Sequence, residues 1–112
     1  MSTSQSQYLA RINKLQSLQQ KVAYFEKTSD QYRKTLEVFK EYIEFVKTFN
    51  EPKILINSLI RMAQYCERMD DRLLSSDLYK DALNLMRTFN IGDPKHLQNL
   101  RSKIDSLHYY SF

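Results

Sequence analysis

The chain has 112 residues, 42% of them hydrophobic and 27% charged, with a formal net charge of +4. That composition belongs to a folded protein of one domain and excludes a disordered tail. One glycine and two prolines leave too few turn residues for a sheet-rich fold, so long helices are expected.

Ser4 to Lys27 reads as the first helix, with Leu9, Ile12, Leu15, Leu18, Val22 and Phe25 on one stripe. Its polar start, residues 1–7, is expected to be disordered and lacks the apolar core of a secretory signal. Thr28-Ser29-Asp30 then breaks the pattern, and Ser29 or Asp30 is expected to cap the second helix. That helix runs to about Phe49, with Tyr32, Leu36, Phe39, Tyr42 or Ile43, and Val46 at helical spacing. Asn50-Glu51-Pro52 stops it: asparagine tolerates a left-handed backbone, and proline suits a first helical turn, where no N–H is needed.

The third helix, about Pro52 to Met69, carries Leu55, Leu59, Met62, Ala63 and Cys66 on one side. Asp70-Asp71 is expected to cap the fourth, about Arg72 to Phe89. Asn90-Ile91-Gly92-Asp93-Pro94 repeats the stop, and a fifth helix follows to about Tyr109 with a narrow seam of Leu97, Leu100, Ile104 and Leu107. The longest aliphatic run, Ile54-Leu55-Ile56, is far too short to span a bilayer.

The two stops belong to an internal repeat. Phe39-Lys40-Glu41 and Tyr79-Lys80-Asp81 lie 40 residues apart, as do Lys47-Thr48-Phe49-Asn50 and Arg87-Thr88-Phe89-Asn90. Without a gap, Val22-Ala23 faces Met62-Ala63, Phe25 faces Tyr65, and Asp30 faces Asp70. A period of that length holding two helices points to stacked helical hairpins, each with an apolar side it cannot bury alone.

The unit around residues 56–89 resembles a tetratricopeptide repeat. Leu59, Met62, Ala63 and Cys66 fall on the large, large, small and medium positions of that motif's first helix, and Ser75, Tyr79 and Ala82 on the small, aromatic and small positions of its second. The unit around 16–49 is a poorer copy: Ala23 and Phe39 fit, whereas Gln19, Glu26, Thr35 and Tyr42 depart. The spacing of 40 also exceeds the family's period of about 34 residues. The resemblance implies an all-α fold of five antiparallel helices: a first hairpin over about 8–50, a second over about 52–90, and a capping helix over about 94–109, within a single domain of residues 1–112.

Chemical signatures are sparse. His96 and His108 lie twelve apart and cannot form a close metal pair on one helix face. Cys66 is alone, which excludes an internal disulfide and points to a reducing compartment, the cytoplasm. A single glycine excludes a glycine-rich phosphate loop. The expectation is a protein without catalytic residues, cofactor, metal or small-molecule substrate.

Protein binding or self-association is the function expected, as a non-catalytic adaptor or small assembly subunit. In the resembled family the first helix of each unit lines a groove. Carried onto this chain, those positions are Gln20, Tyr24 and Lys27, then Ile60, Gln64, Glu67 and Arg68. The lysine and asparagine clamp that some family members use for a peptide carboxylate is absent; Ile60 and Tyr24 suit a more apolar ligand such as an amphipathic helix. The aromatic end, Tyr109, Tyr110 and Phe112, is a further candidate contact. The alternative is a basic first helix, with Arg11, Lys14 and Lys21 beside Tyr8 and Tyr24, that contacts nucleic acid or an anionic membrane surface.

Overall fold

A computed structural model describes residues 3–28 and 30–109, with the side chains of His108 and Tyr109 excepted. The described residues form five helices and no strand: α1 (Thr3–Thr28), α2 (Tyr32–Lys47), α3 (Pro52–Arg68), α4 (Arg72–Thr88) and α5 (Pro94–Tyr109). The chain divides into two compact units, 1–49 and 50–112. In the first, α1 packs on α2; in the second, α4 packs on both α3 and α5.

The helix ends follow from the breakers. Asn50, Asp70 and Asn90 all take a left-handed backbone, with φ of 53°, 62° and 54°. Side chains that fold back on the local backbone tolerate that conformation best after glycine. Behind Asp70, the Asp71 N–H donates to the Cys66 carbonyl at 2.8 Å and the Asp70 N–H to the Glu67 carbonyl at 3.1 Å. Ile91 and Asn90 repeat the pair on Met86 and Arg87, at 2.8 and 3.3 Å. These bonds satisfy carbonyls that a helix end leaves open. Gly92 follows with φ +89°, and a Cβ there would lie 2.5 Å from the buried Met86 Cε. Gly92→Ala is therefore expected to cost about 1–2 kcal/mol, read as a lower urea midpoint.

Several boundary expectations are corrected. Helix α1 begins at Thr3, inside the stretch 1–7 expected to be disordered. The N-cap of α2 is Gln31 and makes no side-chain cap bond, so Asp30 sits one residue too early to cap; Ser29 lies outside the described residues. At α4 only Asp71 caps, accepting from the Leu74 N–H at 3.3 Å, while Asp70 supplies the left-handed residue and its carboxylate pairs with Arg72 at 3.0 Å.

Burial repeats at the interval read from the sequence. The buried set of α2, Thr35, Val38, Phe39, Tyr42, Ile43 and Val46, returns forty residues later in α4 as Ser75, Leu78, Tyr79, Ala82, Leu83 and Met86. The spacings of three and four keep each set on one face. In the second unit, the Ser75 hydroxyl donates to the Ala63 carbonyl at 2.8 Å, and Ala63 and Ala82 are fully buried. Small side chains there let the α3 and α4 backbones come close. In the first unit Tyr42 stands in the place of Ala82, and its hydroxyl accepts from Gln19 Nε2 at 3.3 Å. Two of the four departures from the repeat pattern, Gln19 and Tyr42, are thus partners.

The α1 stripe is shorter than its sequence. Leu15, Leu18 and Val22 are buried, Ile12 and Phe25 are half-buried, and Leu9 remains 44% exposed. Near Arg11 the last residues of α2 and its turn are reached, so the N-terminal turns of α1 lie beyond most of the surface that would cover them. In α5 the seam holds at Leu100, Ile104 and Leu107, with Leu97 half-buried. No helix among the described residues is long and apolar enough to cross a membrane.

Candidate interaction cleft of the second unit

Helices α3, α4 and α5 enclose a cleft of about 410 Å³. From α3 come Ile60 and Gln64, and from α4 the ring of Tyr79. Helix α5 contributes His96, Asn99, Leu100 and Lys103. Helical spacing explains the grouping: His96, Asn99 and Lys103 recur every three or four residues beside the buried Leu100, so the seam that holds α5 on α4 also turns this polar row toward α3.

Glu67 anchors one end. Its Oε1 accepts from the Tyr79 hydroxyl at 3.0 Å, and its Oε2 pairs with Lys103 Nζ at 2.9 Å. One carboxylate therefore ties α3 to both α4 and α5. Tyr79 is buried; that burial first, then the hydrogen bond to Glu67 and its negative charge, raise the phenol pKa far above its ordinary value. At neutral pH the phenol is a hydrogen-bond donor and not a base.

The same shift sets an alkaline dependence. Below pH 10, the phenol's unperturbed value, both the folded and the unfolded chain hold the proton. Above it the unfolded chain ionises first, so folded-state stability falls with rising pH, by at most about 1.4 kcal/mol per unit. Tyr79→Phe is expected to flatten this part of the fall. Urea midpoints of both proteins, compared just below and just above pH 10, measure it.

At the other end, Asp93 starts α5: its Oδ1 accepts the His96 N–H at 2.7 Å, and Pro94 is the first helical residue. The Asp93 carboxylate is thereby engaged in capping, and the His96 side chain is left exposed at the cleft. No group of three or more His, Cys, Asp or Glu side chains placed to hold a metal ion occurs among the described residues. What the cleft offers is an apolar floor with donors and acceptors around it, an arrangement suited to binding a side chain or a short segment.

Of the candidate residues, Ile60 and Gln64 line this cleft and Glu67 stands at its edge as a structural tie. Arg68 is exposed, its guanidinium 5.9 Å from the Tyr65 ring centroid. Tyr24 and Lys27 are exposed on α1 of the first unit, with Tyr24 in edge contact with Phe25 at 5.7 Å. Tyr109 closes α5; Tyr110 and Phe112 lie outside the described residues. Sequence reasoning missed His96, Asn99 and Lys103 as cleft residues. Their signal was the polar row flanking the α5 seam.

The basic residues of α1 turn toward α2. Arg11 lies 4.3 Å from the Phe49 ring centroid and donates to the Thr48 carbonyl and hydroxyl at 2.8 and 3.1 Å. Lys14 sits 4.7 Å from the Phe45 centroid, and Lys21 pairs with Glu41 at 3.5 Å. All three cationic groups thus have partners within the unit.

The described residues form an all-helical fold, with a cleft among the helices of the second unit. Comparison with models of protein families, with curated proteins and with solved structures finds no match.

Proposed function

We propose that this chain is a non-catalytic protein-interaction module, an adaptor or small assembly subunit, whose tetratricopeptide-like helical hairpins hold a partner helix or peptide. The observation that carries this reading is the α3–α4–α5 cleft, which gathers Ile60 and Gln64 over an apolar floor beside His96, Asn99 and Lys103. In the resembled repeat a groove of this kind is lined by the first helix of each unit; on this reading α3 supplies that face in the second unit, and α5, the capping helix, adds the row beside it. The recurrence of buried positions at forty residues and the Ser75–Ala63 contact at 2.8 Å support an antiparallel hairpin repeat closed by α5.

The alternative through a basic α1 has less to draw on. A phosphate or an anionic lipid would have to take Arg11, Lys14 and Lys21 from the aromatic and carboxylate groups they already contact. A buried free thiol at Cys66 fits a reducing compartment, and the cytoplasm is where we place the protein. The partner in this proposal is another protein or a second copy of the chain.

Photo-crosslinking tests the reading. A photoreactive side chain in place of Gln64, in the full-length chain in its native cell, is expected to capture a protein, identified by mass spectrometry. Capture should fall when Ile60→Asp is added, with folding checked by circular dichroism. Capture that is absent, or indifferent to Ile60→Asp, would remove the support for this cleft.

A further inference from the structure

A second cleft, of about 310 Å³, lies between α4 and α5. Lys80 and Arg87 line it from α4, and Arg101 and Asp105 from α5. Residues two apart on a helix point to opposite sides, so Arg101 faces away from Asn99 and Lys103. Helix α5 therefore carries a different cleft on each flank. The floor of the second is apolar, made by the buried Leu83 and Ile104.

Its charge is lopsided, with three cations and one carboxylate. Six cations outside it have partners: Lys21, Lys47, Arg72 and Lys103 pair with carboxylates, and Arg11 and Lys14 lie over aromatic rings. Among the described residues, Lys80, Arg87 and Arg101 have no carboxylate within ion-pair distance, and all three are exposed. Lys80 and Arg87 are separated by two helical turns, about 10 Å along the axis. Arg101 stands across the cleft from that row.

From this geometry we propose that the α4–α5 cleft is a docking site for an acidic, amphipathic helix of a partner protein. Carboxylates one or two turns apart on such a helix match the Lys80–Arg87 row, and an apolar residue between them meets Leu83 and Ile104. Asp105 takes a cation of the partner and fixes which way the helix lies. A single-stranded nucleic acid fits less well: no aromatic ring lines the cleft to stack a base, and Asp105 repels phosphate. This surface is distinct from the cleft at Ile60 and Gln64, and the proposal does not depend on that one.

Fluorescence anisotropy on the full-length chain tests it, with a labelled short helical peptide of glutamate and leucine as the probe. Binding is expected, weakening as salt is raised and falling about tenfold or more in the double variant Arg87→Glu, Arg101→Glu. Both positions are exposed, so circular dichroism and the melting curve should be unchanged. Gln64→Ala, in the other cleft, should leave probe affinity where it was. The proposal is overturned if the probe does not bind, if the folded double variant binds equally well, or if Gln64→Ala abolishes binding. A labelled single-stranded oligonucleotide that binds more tightly than the peptide, and loses affinity in the double variant, would overturn it in favour of nucleic acid.

Discussion

Replacing Ala82 with tryptophan is expected to lower the stability of the second unit by about 3 kcal/mol or more, with loss of its cooperative unfolding. Ala82 is fully buried on α4. It shares its stripe with Ser75, Tyr79 and Met86, and Ser75 already touches the α3 backbone through the Ala63 carbonyl at 2.8 Å. An indole at that face can only be housed by moving α4 off α3. That shift breaks the Ser75 bond and the Tyr79–Glu67 bond and, because α5 packs on α4, it also strains the Glu67–Lys103 pair that ties α5 to α3. A looser helical bundle would absorb much of the ring by sliding. Urea unfolding followed by circular dichroism distinguishes the two, and a loss below about 1 kcal/mol would contradict a close α3–α4 contact.

The second large effect is expected at Phe39→Ala, with a cost of about 3–5 kcal/mol. Phe39 is the largest of the fully buried side chains and has no accessible surface. It sits among Thr35, Tyr42, Ile43 and Val46 on the buried face of α2. Removing the ring forfeits its transfer from water and leaves a cavity that two packed helices have little means to close. The first unit, 1–49, has only α1 and α2 to share that loss. It should therefore unfold at lower denaturant than the second unit, as a separate early step. A single transition at the wild-type midpoint would show that Phe39 is dispensable.

The five helices were legible because the chain punctuates them. Asparagine or aspartate stands at each of the last three breaks, and proline begins α3 and α5. The burial repeat was legible as well, since residues such as Phe39 and Tyr79 have the same bulk in the same register. The residues that depart from the pattern were harder to read. Tyr42 stood out as too large for a small position and Gln19 as too polar for a large one; that they satisfy each other depends on a contact across 23 residues. Likewise the basic stretch Arg11, Lys14 and Lys21 reads as a free face until Phe45, Phe49 and Glu41 are brought against it.

The candidate site was legible by half. Ile60 and Gln64 follow from the repeat register on α3 alone. The resemblance leads one to expect Glu67 in a groove, yet its carboxylate is committed to Tyr79 and Lys103, a fact that resides in three helices at once. The α5 contribution required knowing which flank of that helix faces α3, and a single narrow seam leaves both flanks polar and formally alike.

That narrow seam has an energetic consequence. Leu100, Ile104 and Leu107 hold α5 chiefly on α4, so α5 should open more readily than the helices buried on broader faces. A ligand in either cleft presses on one flank of α5 and adds to its attachment. Amide hydrogen exchange should therefore slow first across Pro94–Tyr109 when a partner binds, and protection of this closing helix would report occupancy before any other part of the chain responds.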